Sequence, residues 1–224
     1  MAARSYGQYC GVTTAVELLA ERWALLIVRD LLVGPRRYTD LQHGLPRIPT
    51  NILSARLKEL QDGGVVRRVP RTRGGLVYAV TDRGRQLEPI VLALSRWGFR
   101  EMGEPGEHDV VTADSLTILL RSAFRPEAST ASLDFQIAVG TVALRGQITD
   151  ATLSMTQIAP PVTPVGGALP AGEPALRFAA EADLRALLSG TLTAAAAVKR
   201  REVILERGGV RLLGRFLEYF RIEL

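Results

Sequence analysis

WALLIVRDLLVGPRRYTDLQHGLPRIPTNILSARLKELQDGGVVRRVPRTRGGLVYAV, residues 23–80, is the stretch that decides the fold of this chain. Its first part repeats apolar residues at the spacing of amphipathic helices, and Gly and Pro residues interrupt the repeats. Its last part has two short runs rich in Val, which predict two β-strands joined by a turn. The predicted helices are about residues 23–32, 40–45 (capped by Thr39) and 50–62, and the predicted strands are 65–69 and 76–80.

The third predicted helix separates two kinds of side chain. A leucine stripe is expected to be buried, because residues three and four apart share one helix face. Small polar groups on the opposite face, near the helix start, suit a recognition helix in the major groove of DNA. We expect Asn51 to pair with an adenine edge and Lys58 to meet the DNA backbone, whereas Thr50 and Ser54 contact bases or phosphates. The leucines are Leu53, Leu57 and Leu60.

Arginines flank this helix on both sides in the sequence. Arg71 and Arg73 lie in the turn between the two predicted strands, where exposed guanidinium groups reach a minor groove or clamp phosphates. Arg36 and Arg37 precede the second helix of the stretch and suit contacts with the DNA backbone. Three helices followed by a basic hairpin predict a winged helix-turn-helix. The alternative is an ordinary hairpin with a solvated basic surface.

The charge distribution agrees with a polyanionic partner for the first half of the chain. Residues 1–103 carry 16 Lys and Arg against 9 Asp and Glu, whereas residues 104–224 carry 12 against 14. Excess positive charge confined to one half indicates binding to nucleic acid by that half. We therefore expect double-stranded DNA as the partner.

The first half resembles the HxlR family of winged-helix transcription regulators. The resemblance rests on AVELLAERWALLIVRDLLVGPRRYTDLQHGLPRI (15–48), NILSARLKELQDGGVVRR (51–68) and YAVTDRGRQLEPIVLALSRWG (78–98). It implies a homodimer formed by the outer helices, about Val12–Ala20 and Leu87–Trp97, on a pseudo-palindromic operator. Pro49 departs from the family pattern, which often has a serine there. We expect Thr50 to replace that serine as the cap, with a shifted helix start.

Two residues have two interpretations each. Arg56 either binds phosphate or braces the domain by pairing with Asp30 or Asp40, and we favour bracing. Cys10 precedes the first helix, and the resemblance implies an N-terminal cysteine that senses oxidants in some members. The alternative for Cys10 is a small buried residue at a dimer interface. A single cysteine excludes an intramolecular disulfide.

The second half predicts a separate α+β domain. Residues 104–114 read as a linker, and residues 115–224 predict a roughly five-stranded sheet covered by helices, so the whole chain is α+β. This half resembles the sterol-carrier-type lipid-binding fold in LDFQIAVG (133–140), ADLRALLSGTL (182–192), VKRREVILERGG (198–209) and VRLLGRFLEYF (210–220).

That resemblance implies an apolar ligand between the sheet and the helices. The alternative is a closed core filled by the same side chains, and residues 159–174 are either a lid over the ligand or an insertion. The predicted ligand-contacting residues are Phe135, Ile137, Leu187, Leu188, Phe216 and Phe220.

Catalytic and metal-binding motifs are not found in the sequence. Two histidines and one cysteine offer no metal-ligand spacing and no nucleophile–base grouping, so we expect neither an enzyme nor a cofactor. No apolar run reaches the length of a membrane span, and no signal peptide is seen, which predicts a cytoplasmic protein.

The sequence therefore predicts a DNA-binding transcription regulator with an apolar effector in its second domain. The first alternative is a lipid carrier or sequestration protein whose winged helix serves only as a dimerisation module. The second is a redox-sensing regulator that responds through Cys10.

Overall fold

The computed structural model describes residues 5–71, 74–159, 172–181 and 184–224. The chain divides into two compact units, Met1–Val91 and Leu92–Leu224. Among the described residues, no helix combines the length and the apolar character needed to cross a membrane.

The first unit has the element order of a winged helix-turn-helix. Its core is formed by side chains from α2, α3 and α4 with β1 and β2, among them Ile27, Leu41 and Leu53, each 0% exposed. The elements are α1 (Gly11–Leu19), α2 (Ala24–Val33), α3 (Tyr38–Gly44), α4 (Thr50–Asp62), β1 (Val66–Pro70), β2 (Leu76–Val80) and α5 (Asp82–Arg85).

Helix α3 begins before the predicted cap. Arg37 is the N-cap, and its backbone N–H donates to Oδ2 of Asp40 at 2.8 Å. Because the carboxylate three residues into the helix closes this end, Tyr38 is already helical and Thr39 is not the cap. The prediction for Thr39 is wrong by two residues.

Strands β1 and β2 form the predicted antiparallel hairpin. Val66 pairs with Val80 and Pro70 with Leu76. Strand β2 ends in a tight junction in which the Thr81 hydroxyl donates to the Gly64 carbonyl at 2.7 Å and accepts from the Gly84 N–H at 3.0 Å. This junction joins the end of β2 to the segment after α4 and to the start of α5.

Helix α6 (Glu88–Glu101) begins in the first unit and its residues from Leu92 onward belong to the second. The sequence analysis places this helix at about Leu87–Trp97, but it continues to Glu101. Phe99 is 1% exposed in the core of the second unit. Burying a phenylalanine stabilises by about 1.5–3 kcal/mol, which outweighs the helix cost of roughly 1 kcal/mol for glycine.

The second unit contains a mixed five-stranded sheet with the order β5-β4-β3-β6-β7. Strands β3 and β6 are parallel, and the other neighbours are antiparallel. The elements are α7 (Ala113–Ala123), a 3-10 turn (Pro126–Ala128), β3 (Leu133–Val139), β4 (Val142–Thr149), β5 (Thr152–Ala159), β6 (Leu176–Ala180), α8 (Arg185–Leu188), α9 (Ala194–Lys199), β7 (Val203–Arg207) and α10 (Val210–Tyr219).

One face of this sheet forms the core of the second unit. Alternate residues of β3 are buried, as the period of two in the sequence predicts. Helix α10 covers the sheet with Leu213, Phe216 and Tyr219. A sheet of five strands with helices is thus present as predicted. The likeness to a sterol carrier stays a prediction.

Candidate nucleic-acid interface

Helix α4 begins at Thr50, with Pro49 as its N-cap. The carbonyl oxygen of Pro49 accepts the first helical hydrogen bond, from Leu53 N at 2.9 Å, and its φ of −64° is one that proline adopts without strain. Thr50 is therefore the first helical residue and not the cap. The expected shift of the helix start is wrong.

The two faces of α4 differ as predicted in their exposure. Leu53, Leu57 and Leu60 are each at most 1% exposed. The predicted DNA-facing residues Thr50, Asn51, Ser54 and Lys58 are all exposed. Whether these four contact DNA stays a prediction.

Tyr38 joins α3 to the exposed face of α4 and was missed by the sequence analysis. Its hydroxyl donates to the carbonyl oxygen of Thr50 at 2.7 Å and lies 3.2 Å from Oγ of Ser54. The partners are 12 and 16 residues away. No local pattern signals such a contact.

Lys58 is paired within its own helix. Its Nζ lies 2.6 Å from Oδ2 of Asp62, and this hydrogen bond raises the pKa of the Lys58 ammonium. Both side chains are exposed, so the pair is of little consequence for stability. Asp62 reduces the positive charge that Lys58 presents to a DNA backbone.

Arg36 does not present its side chain to solvent. It is 6% exposed, and its backbone pairs with Tyr78 through N–H···O bonds of 2.9 and 2.7 Å, which add a bridge beside the hairpin. Its guanidinium donates to the Pro35 carbonyl at 3.0 Å. This burial contradicts the predicted phosphate contact of Arg36. The neighbouring Arg37 is exposed, as that role requires.

The hairpin carries further arginines that the sequence analysis did not select. Arg67 and Arg68 of β1 are both exposed, and the Arg68 guanidinium lies 5.7 Å from the centre of the Tyr78 ring. The sequence signal for them was VVRRV (65–69), in which two consecutive arginines interrupt the alternation of apolar and polar residues in a strand. Arg71 closes the turn through its backbone, which accepts from Gly74 N and donates to Gly75 O, each at 3.0 Å. Arg73 lies outside the described residues.

Arg56 braces the helical part of the first unit. Its guanidinium pairs with Glu21 at 3.3 Å and with Glu59 on its own helix. The favoured bracing role thus has a geometric basis, but the partners are not the predicted Asp30 and Asp40. Glu21 lies in the turn between α1 and α2, so the ion pair links that turn to α4.

Cys10 is the N-cap residue of α1 and is exposed. Hydrogen bonds from the backbone N–H of Thr13, and next from that of Val12, lower the pKa of its thiol. Exposure and a lowered pKa are the two conditions for a reactive cysteine.

The six predicted ligand-contacting residues come together in the second unit, in one buried cluster. Each is at most 4% exposed. The ring centre of Phe216 lies 5.0 Å from that of Phe135 and 4.4 Å from that of Phe220. The three rings therefore pack against one another between the sheet and α10. Most of the loop predicted as lid or insertion, residues 160–171, lies outside the described part of the chain.

A metal site is not found within the described residues, where no group of three or more His, Cys, Asp or Glu side chains is suitably placed. His43, on α3, is exposed.

Comparison with known proteins places the similarity in the first half. The profile of the HxlR-like helix-turn-helix family matches residues 18–105. The HTH-type transcriptional regulator YvaP of Bacillus subtilis, whose function is uncharacterised, is 42% identical over 85 residues, which are 37% of this chain and 79% of YvaP. The HTH-type transcriptional regulator YodB of Bacillus subtilis is 32% identical over 96 residues, 42% of this chain and 85% of YodB.

Among solved structures, the redox regulator HypR in its oxidized form is 26% identical in sequence. The match has a TM-score of 0.39 and covers 43% of this chain and 100% of the HypR chain. The relatives are named as transcriptional regulators, which confirms the prediction that the chain is not an enzyme.

Proposed function

Because the chain belongs to the HxlR-like helix-turn-helix family, we propose that it is a homodimeric, sequence-specific transcription regulator that reads duplex DNA with α4. The observation that carries this proposal is the division of α4 into a buried leucine face and an exposed polar face. Asn51 on the exposed face supplies the amide that pairs with an adenine edge. The hairpin arginines Arg67, Arg68 and Arg71 supply contacts with phosphates or a minor groove.

A homodimer would place two copies of α4 on two half-sites of a pseudo-palindromic operator. We assign the dimer contact to α1 and α6. In α6, Ile90, Leu94 and Trp97 follow one another at intervals of four and three and are 51%, 46% and 67% exposed. In α1, Val12 is exposed as well. Large apolar side chains in a row on a helix surface are typical of a contact with another chain.

The regulatory input is assigned to the second unit, in the form of an apolar effector. Its six predicted contact residues lie in one buried cluster, in which the rings of Phe216 and Phe220 are nearly stacked. An effector entering there must separate these rings, so its binding would be coupled to a rearrangement of the core. Such a coupling is what a regulator needs, because an effector shifts DNA affinity only if it favours one arrangement over another.

Redox sensing through Cys10 is the second candidate input. It is favoured by the exposure of the thiol and by its lowered pKa. The two inputs are distinguishable, since an oxidant acting on Cys10 requires no change in the core of the second unit.

The test of the proposed function is salt-dependent binding to a selected duplex. The full-length protein is used to select duplexes from a random pool, and its affinity for the enriched sequence is measured by fluorescence anisotropy at several salt concentrations. For a regulator that neutralises several phosphates, a plot of the logarithm of the association constant against the logarithm of the salt concentration should have a slope of about −0.9 per phosphate. Replacing Arg67 and Arg68 with alanine should flatten the slope by about one unit per lost contact. A lipid carrier would enrich no sequence, and that result would overturn the proposal.

A further inference from the structure

Tyr38 makes two contacts that determine what the exposed face of α4 can offer to a ligand. Its hydroxyl oxygen lies 2.7 Å from the carbonyl oxygen of Thr50, the first residue of α4. The same hydroxyl lies 3.2 Å from Oγ of Ser54, one turn later. One side chain of α3 thus holds both the start of α4 and one of its exposed hydroxyls.

The positions of the protons in this group follow from the chemistry of the three oxygens. A carbonyl oxygen only accepts hydrogen bonds, so the Tyr38 O–H donates to Thr50. A phenol has a single proton, and after this donation its oxygen has only lone pairs left for Ser54. The Ser54 hydroxyl therefore donates to Tyr38. Its oxygen then presents only lone pairs to solvent.

We propose that Tyr38 makes Ser54 a hydrogen-bond acceptor only, so that Ser54 selects a base with an exocyclic amine, adenine or cytosine, in the major groove. In that groove the N6 amine of adenine and the N4 amine of cytosine donate, whereas guanine N7 and O6 and thymine O4 accept. A lone pair facing another lone pair gains no hydrogen bond and leaves both desolvated. Tyr38 is thus a positioning residue that acts on DNA specificity through Ser54.

The same argument removes Ser54 from the phosphate-binding residues. Phosphate oxygens only accept hydrogen bonds, as does a Ser54 whose proton is held by Tyr38. Among the described hydrogen bonds none involves Oγ1 of Thr50, so Thr50 keeps a proton for a phosphate. Of the two hydroxyls on this face, Thr50 is assigned to the backbone and Ser54 to a base.

This inference rests on the proposed function, and parallel selections test it. The full-length wild type, Tyr38→Phe, Ser54→Ala and the double variant each select duplexes from the same random pool. Tyr38→Phe keeps the ring and removes only the hydroxyl, which frees the Ser54 proton. Tyr9→Phe, on an exposed tyrosine outside the helix-turn-helix, is the matched control and should select as the wild type does. Thermal melting shows that each variant is folded.

The wild type should prefer adenine or cytosine over guanine and thymine by about fivefold at one position of each half-site. Ser54→Ala should abolish this preference there and leave the other positions unchanged. Tyr38→Phe should accept all four bases at that position within about twofold, because the freed hydroxyl either donates or accepts. At that position the double variant should match Ser54→Ala, since Tyr38 acts on the base preference only through Ser54.

A chemical deletion provides the check that needs no variant of Tyr38. The selected duplex is made with the amine removed from the preferred base, as purine for adenine or pyrimidin-2-one for cytosine. The wild type should lose about fivefold in affinity, and Ser54→Ala should lose nothing. The inference is overturned if Tyr38→Phe keeps the wild-type preference, or if the position sensitive to Ser54→Ala favours guanine or thymine. If the wild type enriches no sequence, the proposed function itself fails.

Discussion

Replacing Gly146 with alanine should destabilise the second unit, because the ring of Phe135 lies directly against this glycine. The two residues pair across β3 and β4. A Cβ atom at position 146 would lie 2.1 Å from Cζ of Phe135 and 2.5 and 2.8 Å from its two Cε atoms. Carbon atoms in contact are normally about 3.5–4 Å apart, so the ring would have to move by more than about 1 Å.

The ring has little room for that movement. Phe135 is 0% exposed, and its centre lies 5.0 Å from that of Phe216 and 5.3 Å from that of Phe220, both edge-on. Overpacking of a core costs about 1–3 kcal/mol, and we expect the upper end because three rings must shift together. A loss of about 3 kcal/mol lowers the melting temperature of a unit of this size by roughly 6–12 °C.

Scanning calorimetry of the full-length protein measures this loss, and Gly214→Ala is the matched control. Gly214 lies in α10, where an added Cβ meets nothing within 4 Å, so alanine should raise the free energy of unfolding by about 0.5–1 kcal/mol. A Gly146→Ala protein that melts with the wild type would refute the reasoning. The core would then have spare room beside Phe135, and the view that its own rings fill it would be wrong.

Four further predictions concern other parts of the chain. Trp97→Asp should convert the proposed dimer to a monomer in light scattering, because a charge replaces an apolar contact on α6; an unchanged dimer would remove α6 from the interface. Cys10 should be alkylated faster at neutral pH than free cysteine, because thiolate is the reactive form. As the pH is raised, the rate of alkylation should reach its plateau at a pH below the ordinary thiol pKa. Cys10→Ser should retain DNA binding and lose any oxidant response, and an oxidant response that survives would exclude the thiol switch. Gly84→Ala should destabilise the first unit in thermal melting, since its Cβ would lie 2.2 Å from the Val65 carbonyl oxygen, whereas Gly11→Ala meets nothing and should not; equal melting of the two would contradict the close approach.

The helices and strands of this chain were predictable wherever the signal is local. The stripe Leu53, Leu57 and Leu60 marks α4, and Thr81 marks the helix after the hairpin, because spacing and caps depend on residues within one or two turns. The alternation in β3 likewise reveals its buried face. These features predict both units in outline.

The features that the sequence does not predict depend on distant partners. Arg36 is buried because its backbone pairs with Tyr78, which is 42 positions further along the chain. Helix α6 passes Gly98 because Phe99 is anchored among residues of the second unit. Tyr38 reaches Ser54 only after α3 and α4 have packed. Charge and polarity select candidate DNA-binding residues, but burial and pairing decide which of them are available.

The measurement that most directly tests the account is the affinity of wild type and Asn51→Ala for the selected duplex and for a scrambled duplex of the same composition, at one salt concentration. The wild type should bind the selected duplex at least about 1,000-fold more tightly. Asn51→Ala should lose about 1–3 kcal/mol on the selected duplex and nothing on the scrambled one, because Asn51 is assigned to a base edge. Equal affinity of the wild type for both duplexes would contradict sequence-specific recognition by α4.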